Sequence, residues 1–268
     1  MTIAATAWTF DSVTLNNYAY YVKGFDESGP ERRGDDVILG GLTGRKYVDK
    51  VYDERVIVLD MVVDARATTG GARTGNQLQS NVDYLKKLFG ANGQHTLGRT
   101  WGSLTLQATV EVRRVRFLPV DPYFYNATVE MVMADPLWYA TSNTSATTPF
   151  SSVPTNLSVN NPGSYAAEKL TVTLACPASP AAILTNPKVT IGSVWVTYTG
   201  VVGANSTLTI DTSTFVATVG SADVSSAITH SGAVPWLVVP AGSSTATVSA
   251  DGISNTPTLT ITFAAPYL

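Results

Sequence analysis

The side chains that most often carry enzymatic chemistry are few in this sequence and lie far apart. The chain has two histidines, His95 and His230, and a single cysteine, Cys176. No G-x-S-x-G motif, H-E-x-x-H motif or cysteine–histidine cluster accompanies them. We expect both histidines to be exposed polar residues of loops and Cys176 to be a small core residue. The sequence therefore predicts no catalytic, cofactor-binding or metal-binding site, and no enzyme.

Two carboxylates in the strand-like segment 55–64, RVIVLDMVVD, need separate consideration. Asp60 and Asp64 alternate onto one strand face, where four residues span roughly 13 Å at ~3.3 Å per residue. That spacing is too wide for an acid–base pair, and we interpret both residues as solvated or interface side chains. Residues 142–268 contain only four acidic side chains, widely separated, so a glycosidase with paired carboxylates is the least supported class.

Two groups of side chains indicate binding rather than catalysis. Arg113, Arg114 and Arg116 form the densest basic stretch, which is too short to predict nucleic-acid binding. In the C-terminal half, Trp195, Tyr198 and Trp236 could form an aromatic platform for sugar, or could simply pack in a core. Both interpretations of the tryptophans remain open from the sequence.

Composition limits the class of protein. The 268 residues carry a formal net charge of −3 and a mean hydropathy of +0.11, values typical of a globular chain without bulk attraction to nucleic acid or membranes. One cysteine excludes an intrachain disulfide. The start lacks the features of a signal peptide, and no apolar run approaches the ~20 residues of a membrane span. We therefore expect a soluble protein made inside a cell, without membrane insertion.

Charge is distributed unevenly and predicts two domains. Residues 1–141 hold 15 of the 17 Lys and Arg residues and 16 of the 20 Asp and Glu residues, whereas about a third of residues 142–268 are Ser or Thr. The Ser/Thr/Pro-rich stretch 142–156 is typical of a linker. The sequence predicts a first domain over 1–141, a linker over 142–156 and a second domain over 157–268.

The first domain is organised around a predicted hairpin, 103–139. Apolar residues alternate along its first strand, and the alternation changes phase at Arg113 and Arg114, which predicts a β-bulge. Segment 55–64 predicts a second long strand. An apolar stripe predicts one helix over about 76–89, with Gly90 as a left-handed cap.

Two segments of the first domain, 24–46 and 65–75, are polar and rich in glycine. The first predicts a mobile hairpin or loop, or a segment that becomes ordered against a partner subunit, and the second predicts a flexible loop. The glycines at 40–44 do not match the spacing of a phosphate-binding loop. After residue 156, short alternating strands separated by turn residues predict a β-sandwich or jelly roll.

Several stretches together resemble the distal tail protein (Dit) family of bacteriophages with long non-contractile tails. In the first half these are FDSVTLNNYAYYVKGF, RRGDDVILGGLTGRK followed by YDERVIVLDMVV, SNVDYLKKLFGANG and FLPVDPYFYNATVEMVMADPLWY. In the second half, NNPGSYAAEKLTVTL, STLTIDTSTFVATV, VPAGSSTATVSADG and TITFAAPYL are similar to the galectin-like sandwich of such proteins. The resemblance covers nearly the whole chain.

The resemblance implies a mainly β fold: an antiparallel sandwich or barrel-like domain with one α-helix, followed by a galectin-like β-sandwich. It implies a structural virion protein of the tail tip, made in the host cytoplasm, whose first domain forms a homohexameric ring. One face of the ring would dock on the tail tube protein and the other on hub, lysin or fibre proteins. We expect Arg32, Arg33, Arg113 and Arg114, with loops 24–46 and 65–75, to form intersubunit or docking surfaces. The alternative is an adhesin that binds host surface carbohydrate through Trp195 and Trp236.

Overall fold

The computed structural model describes residues 7–29, 32–33, 37–38, 45–46, 51–232 and 236–268. The chain divides into two compact units, Met1–Trp138 and Tyr139–Leu268, a division that falls just before the predicted boundary at residue 141. No helix in the described ranges is both long and apolar enough to cross a membrane.

The N-terminal unit is mainly β-structure with one helix. Its described elements, in chain order, are Ala7–Phe10 (β1), Val13–Thr14 (β2), Tyr20–Glu27 (β3), Arg32–Arg33 (β4), Val37–Ile38 (β5), Arg45–Lys46 (β6), Val51–Tyr52 (β7), Arg55–Asp64 (β8), Gly75–Phe89 (α1), Gln94–Trp101 (β9), Leu104–Asp121 (β10) and Phe124–Met133 (β11). The main antiparallel sheet has the order β2-β1-β9-β10-β11-β8-β3, while β4 pairs with β7 and β5 with β6.

This sheet curls, so that its two ends approach each other. The rings of Trp8 on β1 and Phe25 on β3 lie 5.2 Å apart between centroids, although these strands are near opposite ends of the strand order. Arg99 on β9 likewise pairs with Glu27 on β3. Alternate residues of β8, from Ile57 to Val63, are buried, as expected for a strand with one face in a core. The predicted barrel-like first domain is confirmed.

The predicted β-bulge is confirmed on β10. The β10–β11 register shifts between Val112 and Arg114, which leaves Arg113 as the inserted residue. The predicted strand 55–64 is also confirmed in full. Segment 24–46 was predicted as a mobile hairpin or loop. Its first residues belong to β3, because Gly24 pairs with Asp60 across the sheet, and residues 30–31, 34–36 and 39–44 lie outside the described residues.

The predicted helix is confirmed as α1, which contacts β8, β10 and β11. Thr74 caps its N-terminus and accepts a hydrogen bond from the backbone N–H of Gln77, the pattern expected of a helix cap. Its buried side chains include Leu78, Val82, Leu85 and Phe89. The left-handed cap predicted at Gly90 is wrong: Gly90 has a φ of −88° and continues the helical bonding with its N–H donating to Lys86 O.

The C-terminal unit is a β-sandwich. Its described strands are Trp138–Pro149 (β12), Thr155–Asn161 (β13), Leu170–Ala175 (β14), Ile183–Thr185 (β15), Lys188–Ile191 (β16), Val194–Tyr198 (β17), Val201–Gly203 (β18), Thr207–Asp211 (β19), Val216–Val219 (β20), Ala222–Asp223 (β21), Ile228–His230 (β22), Gly242–Ser249 (β23), Gly252–Ser254 (β24) and Thr258–Tyr267 (β25), with a 3₁₀ turn at Ser225–Ala227. One layer has the order β12-β25-β14-β19-β20-β21, the facing layer is β13-β23-β16-β17-β22, and β18-β15-β24 form a small third sheet.

One core lies between the two main layers of this unit. It combines residues of the first layer, such as Val172 and Ile261, with residues of the second, such as Val196 and Val248. The linker predicted over 142–156 is wrong in this respect, since most of that stretch lies in β12 and β13 and Phe150 is buried in the core. Ser and Thr side chains at these positions bond across strands, as Ser145 does with Thr262.

Candidate interaction surfaces

The bulge on β10 presents Arg113 and Arg114 to solvent. The guanidinium of Arg113 contacts both carboxylate oxygens of Glu54, at 2.9 and 3.0 Å, and both side chains of this pair are about half exposed. Arg114 is exposed and lies opposite Glu130 in the strand register. Arg32 and Arg33 lie in β4, which pairs with β7, but their side chains fall outside the described residues.

Loop 65–75, predicted as a docking surface, is fixed to the body of the domain by its two arginines. Arg66 and Arg73 both bond the carboxylate of Asp64, at 2.7–3.1 Å. Asn81 on α1 donates to the backbone oxygens of Asp64 and Arg66 at 2.8 Å. Burial disfavours ionisation of Asp64, but the hydrogen bonds and charges of Arg73 and Arg66 outweigh it and lower the pKa of this carboxyl group.

The interpretation of Asp64 as a solvated residue is therefore wrong. Asp64 is only 1% exposed, whereas Asp60 on the same strand is exposed as predicted. The strand ends at Asp64 and the following loop folds back over it, so alternation along the strand no longer decides its burial. Loop 65–75 offers a surface whose arginines already have a partner.

A second, half-buried ionic cluster centres on Glu27. Its Oε1 accepts from Arg55 at 2.5 Å and from the indole N–H of Trp138 at 2.6 Å, and its Oε2 accepts from Arg99 at 2.8 Å. Burial disfavours the charged form, but the bond from Trp138 and the charges of Arg99 and Arg55 lower the pKa of Glu27. Both oxygens have donors, so this carboxylate serves to join β3, β8 and β9.

The histidine predicted to be exposed in a loop, His95, lies buried in β9. Its Nδ1 is 2.7 Å from Asp11 Oδ2 and its Nε2 is 3.0 Å from Ala91 O, and its ring stacks on Phe10. Burial lowers the pKa of His95, but the bonds to Asp11 and Ala91 outweigh that and raise it. Cys176 is buried as predicted, and burial raises the pKa of its thiol. Within the described ranges, no three His, Cys, Asp or Glu side chains form a group suited to a metal ion.

The outer face of the sheet formed by β3, β8, β11 and β10 contains an open cleft of about 230 Å³. Charged and apolar side chains line it together, among them Lys23, Asp60, Arg116 and Leu118. The strand register places Arg116 opposite Thr128, and Thr128 opposite Asp60. Thr128 Oγ1 donates to Asp60 at 3.2 Å.

Large exposed apolar side chains are concentrated in the N-terminal unit. In the described part of the chain, nine of the fourteen belong to this unit. The most exposed of these is Trp101, at 66%, the last residue of β9 before the turn to β10. Three more of these side chains lie near the turn between β10 and β11, at the other end of β10 from Trp101: Leu118, Val120 and Tyr123. Clusters of exposed apolar groups are typical of interaction surfaces.

The two tryptophans proposed for sugar contact lie in different surroundings. Trp195 is half-buried, with Lys188 Nζ 4.5 Å from its ring centroid. Trp236 is also half-buried and contacts two rings, Phe215 at 5.4 Å and His230 at 5.6 Å. Phe215 occupies a turn with a φ of +56° and is exposed. Only Trp236 therefore belongs to an aromatic cluster that reaches the surface.

Comparison with solved structures shows that this fold is known. The chain matches the crystal structure of the SPP1 Dit protein, described as a paradigm of the hub adsorption apparatus in phages that infect Gram-positive bacteria. The match has a TM-score of 0.72 and covers 99% of this chain and 100% of that chain at 15% identity. The chain has a Dit-like fold. The resemblance seen in the sequence is thus confirmed at the level of the fold, for both units in the same order.

Two weaker matches are to the phage p2 baseplate in its activated conformation. The structure with calcium matches at a TM-score of 0.44 and 6% identity, and the structure with strontium at 0.44 and 7%. Each match covers 96% of this chain and 98% of the other. No family model matches the sequence, and no curated protein matches it either.

Proposed function

We propose that this chain is a structural protein of a bacteriophage tail, and that copies of it form a ring at the distal tip. The observation that carries the proposal is the whole-chain match to SPP1 Dit. A similarity limited to one β-sandwich would be weak support, because sandwiches serve many functions. In this case the fold matches that of SPP1 Dit in both units, in the same order, over 99% of this chain and 100% of the other.

In this proposal, the ring is a homohexamer that joins the tail tube to hub or fibre proteins. The N-terminal unit forms the ring, since it exposes most of the large apolar side chains in the described ranges. The carboxylates of its two ionic clusters, half-buried Glu27 and buried Asp64, are already paired with arginines, which suits a rigid scaffold rather than acid–base chemistry.

The first experiment is the solution mass of the purified protein by light scattering, with negative-stain electron microscopy of the same sample. We expect a mass near six protomers and ring-shaped particles. If the protein is monomeric, the second experiment adds purified tail tubes and looks for the protein at one tube end. Absence of both a ring and tube-end binding contradicts the proposal.

The arginines of the bulge provide a more local test of the docking surface. Arg114 is exposed, and we expect Arg114→Glu to weaken ring or tube assembly. Arg113→Glu should have a similar effect and also lose the contact with Glu54. Lys87→Glu, an exposed charge reversal on α1, is the matched control. Unchanged assembly in both bulge variants removes the bulge from the docking surface.

Carbohydrate binding by the C-terminal unit is the second candidate function. The observation that favours it is the surface cluster of Phe215, Trp236 and His230, because exposed aromatic rings stack on sugars. Glycan-array binding that is lost in Trp236→Ala and kept in Trp195→Ala, with both variants folded, would support it. An array without any bound glycan contradicts it.

A further inference from the structure

Trp101 differs from the other tryptophans in having no ring partner within the described chain. Trp8 and Trp138 contact each other, Arg99 lies over Trp138, Lys188 over Trp195, and His230 stacks on Trp236. Trp101 instead projects from a tight turn, with Gly102 at a φ of +61° and Leu104 paired opposite. A glycine of this conformation suits a two-residue hairpin turn. We call Trp101 and Leu104 the knob.

The cleft on the outer sheet face offers groups that lack partners of their own. Within the described residues, Lys23 and Arg116 have no ion pair, and Asp60 has only the hydroxyl of Thr128. Leu118, about half exposed, supplies an apolar wall. A volume of about 230 Å³ accommodates far more than a single water, whose share of liquid volume is ~30 Å³.

The chain already binds one indole with the same types of group. Trp138 donates its ring N–H to the carboxylate of Glu27 at 2.6 Å, and the guanidinium of Arg99 lies 4.3 Å from its ring centroid. In the cleft, Asp60 is available to accept an indole N–H, while Arg116 and Lys23 can lie over the ring face. Buried tryptophans usually need such an acceptor, and cations favour the face of an indole.

The knob cannot enter the cleft of its own chain. Leu104 begins β10, whereas Arg116 and Leu118 lie near its other end, roughly 40 Å away at ~3.3 Å per residue. A head-to-tail contact requires two different, complementary surfaces on each copy, and the knob and the cleft lie at opposite ends of one strand. Repeating such a contact produces a ring when the rotation from one copy to the next adds up to a full turn.

We propose that Trp101 of one copy of this chain docks into the cleft formed by Lys23, Asp60, Arg116 and Leu118 of the next copy. This inference rests on the proposed ring and specifies which surfaces meet. Asp60 accepts the indole N–H, the two cations contact the ring, and Leu104 packs beside Leu118.

The test uses two variants of the full chain that each remove one side of the contact. Trp101→Ala lacks the knob, and the double variant Arg116→Glu, Leu118→Glu has an altered cleft. All three residues are exposed, so thermal unfolding should be unchanged. Sedimentation velocity over a concentration series should show that each variant needs at least roughly 30-fold more protein than the unmodified chain to assemble. Tyr84→Ala, another exposed aromatic residue, is the control and should assemble normally.

Mixing the two variants gives the decisive measurement. The intact cleft of Trp101→Ala can accept the intact knob of the double variant, but no further contact can form. We therefore expect heterodimers and nothing larger. A mixture that remains monomeric overturns the proposal, as does either variant that assembles like the unmodified chain. In that last case rings persist without this contact, so the inference fails while the proposed function stands.

An unmodified chain that stays monomeric at every concentration also overturns the inference, because the knob and cleft would then not drive association. The proposed function is decided separately in that case, by whether the chain binds the end of purified tail tubes.

Discussion

The two units of this protein satisfy their buried polar groups by different chemistry. In the N-terminal unit, half-buried Glu27 and buried Asp64 are each held by two arginines. In the described part of the C-terminal unit, the buried polar side chains are neutral: Thr212 and Asn161 bond backbone groups of neighbouring segments. Ionic pairs respond to pH and, when exposed, to salt, whereas neutral hydrogen bonds respond to neither. The stability of the first unit should therefore depend on conditions far more than that of the second.

The outer surfaces differ in a parallel way. The N-terminal unit exposes apolar side chains together with charges that have no ion pair among the described residues, as in the cleft of Lys23, Asp60, Arg116 and Leu118. The second unit presents mainly hydroxyl and amide side chains, as on β13 and β23, where Thr247 bonds Asn156. Mixed apolar and charged surfaces are typical of interfaces that need both affinity and orientation. This contrast supports assembly through the first unit.

The largest predicted effect follows from removing the charge of Glu27. Glu27→Gln keeps the shape of the side chain but leaves Arg55, which is 4% exposed, without a countercharge. Loss of one partner from a buried ion pair typically costs about 3–5 kcal/mol. We expect hydrogen exchange followed by mass spectrometry to show that loss in the N-terminal unit and no change in the C-terminal unit.

The matched control for this variant is Glu54→Gln, the same substitution at the half-exposed pair with Arg113. Exposed pairs contribute about 0–1 kcal/mol. Equal effects of the two substitutions would contradict the distinction between buried and exposed pairs in this unit.

A smaller effect is expected in the C-terminal unit from Asn161→Ala. The Asn161 side chain, almost fully buried, donates to Tyr165 O and Val239 O and accepts from Gly163 N. Leaving these groups unpaired should cost about 1–3 kcal/mol. Because no charge is involved, we expect the same loss at pH 5 and pH 8, measured by urea unfolding. Asn160→Ala, at the exposed neighbouring position, is the control, and a pH-dependent loss would contradict the neutral character of this unit.

The strands and the helix could largely be predicted from local sequence, because their patterns repeat over a few residues. Alternation predicted β8, a change of phase predicted the bulge at Arg113, and an apolar stripe predicted α1. The linker over 142–156 was not recognised as strand, since Ser and Thr on β12 give no apolar alternation although they bond across to β25.

The polar clusters could not be predicted, because their members are distant in sequence. Glu27 lies within a segment that was predicted as a mobile hairpin or loop, and its partners Arg99 and Trp138 come from other elements. His95 and Asp11 are likewise joined only by the pairing of β1 with β9. Charge in this sequence indicated which unit would contain ionic contacts, but the strand register decides which residues make them.

The smallest predicted effect concerns the pair of Asp11 and His95, which adds a pH-dependent contribution to the N-terminal unit. Burial opposes the charge on both groups, but their mutual contact, with Thr96 N–H bonding Asp11, lowers the pKa of Asp11 and raises that of His95. Two acceptors face the two ring nitrogens of His95, which favours the doubly protonated ring. An NMR titration of the two histidines should give His95 a pKa above its ordinary value of 6.5.

The sign of the resulting pH dependence follows from these directions. The contribution of His95 is complete below pH 6.5 and is lost as the pH rises through its raised pKa; that of Asp11 is complete above 3.8 and is lost as the pH falls through its lowered pKa. The pair should thus stabilise the unit most between these values. Asp11→Asn suits a test, because asparagine tolerates the left-handed conformation of residue 11, with a φ of +46°. We expect this variant to lower the pKa of His95 and to flatten the loss of stability between pH 6 and 8. An unchanged His95 titration would show that its other acceptor, Ala91 O, sets its pKa, and the charged contact would then contribute nothing to the contrast between the units.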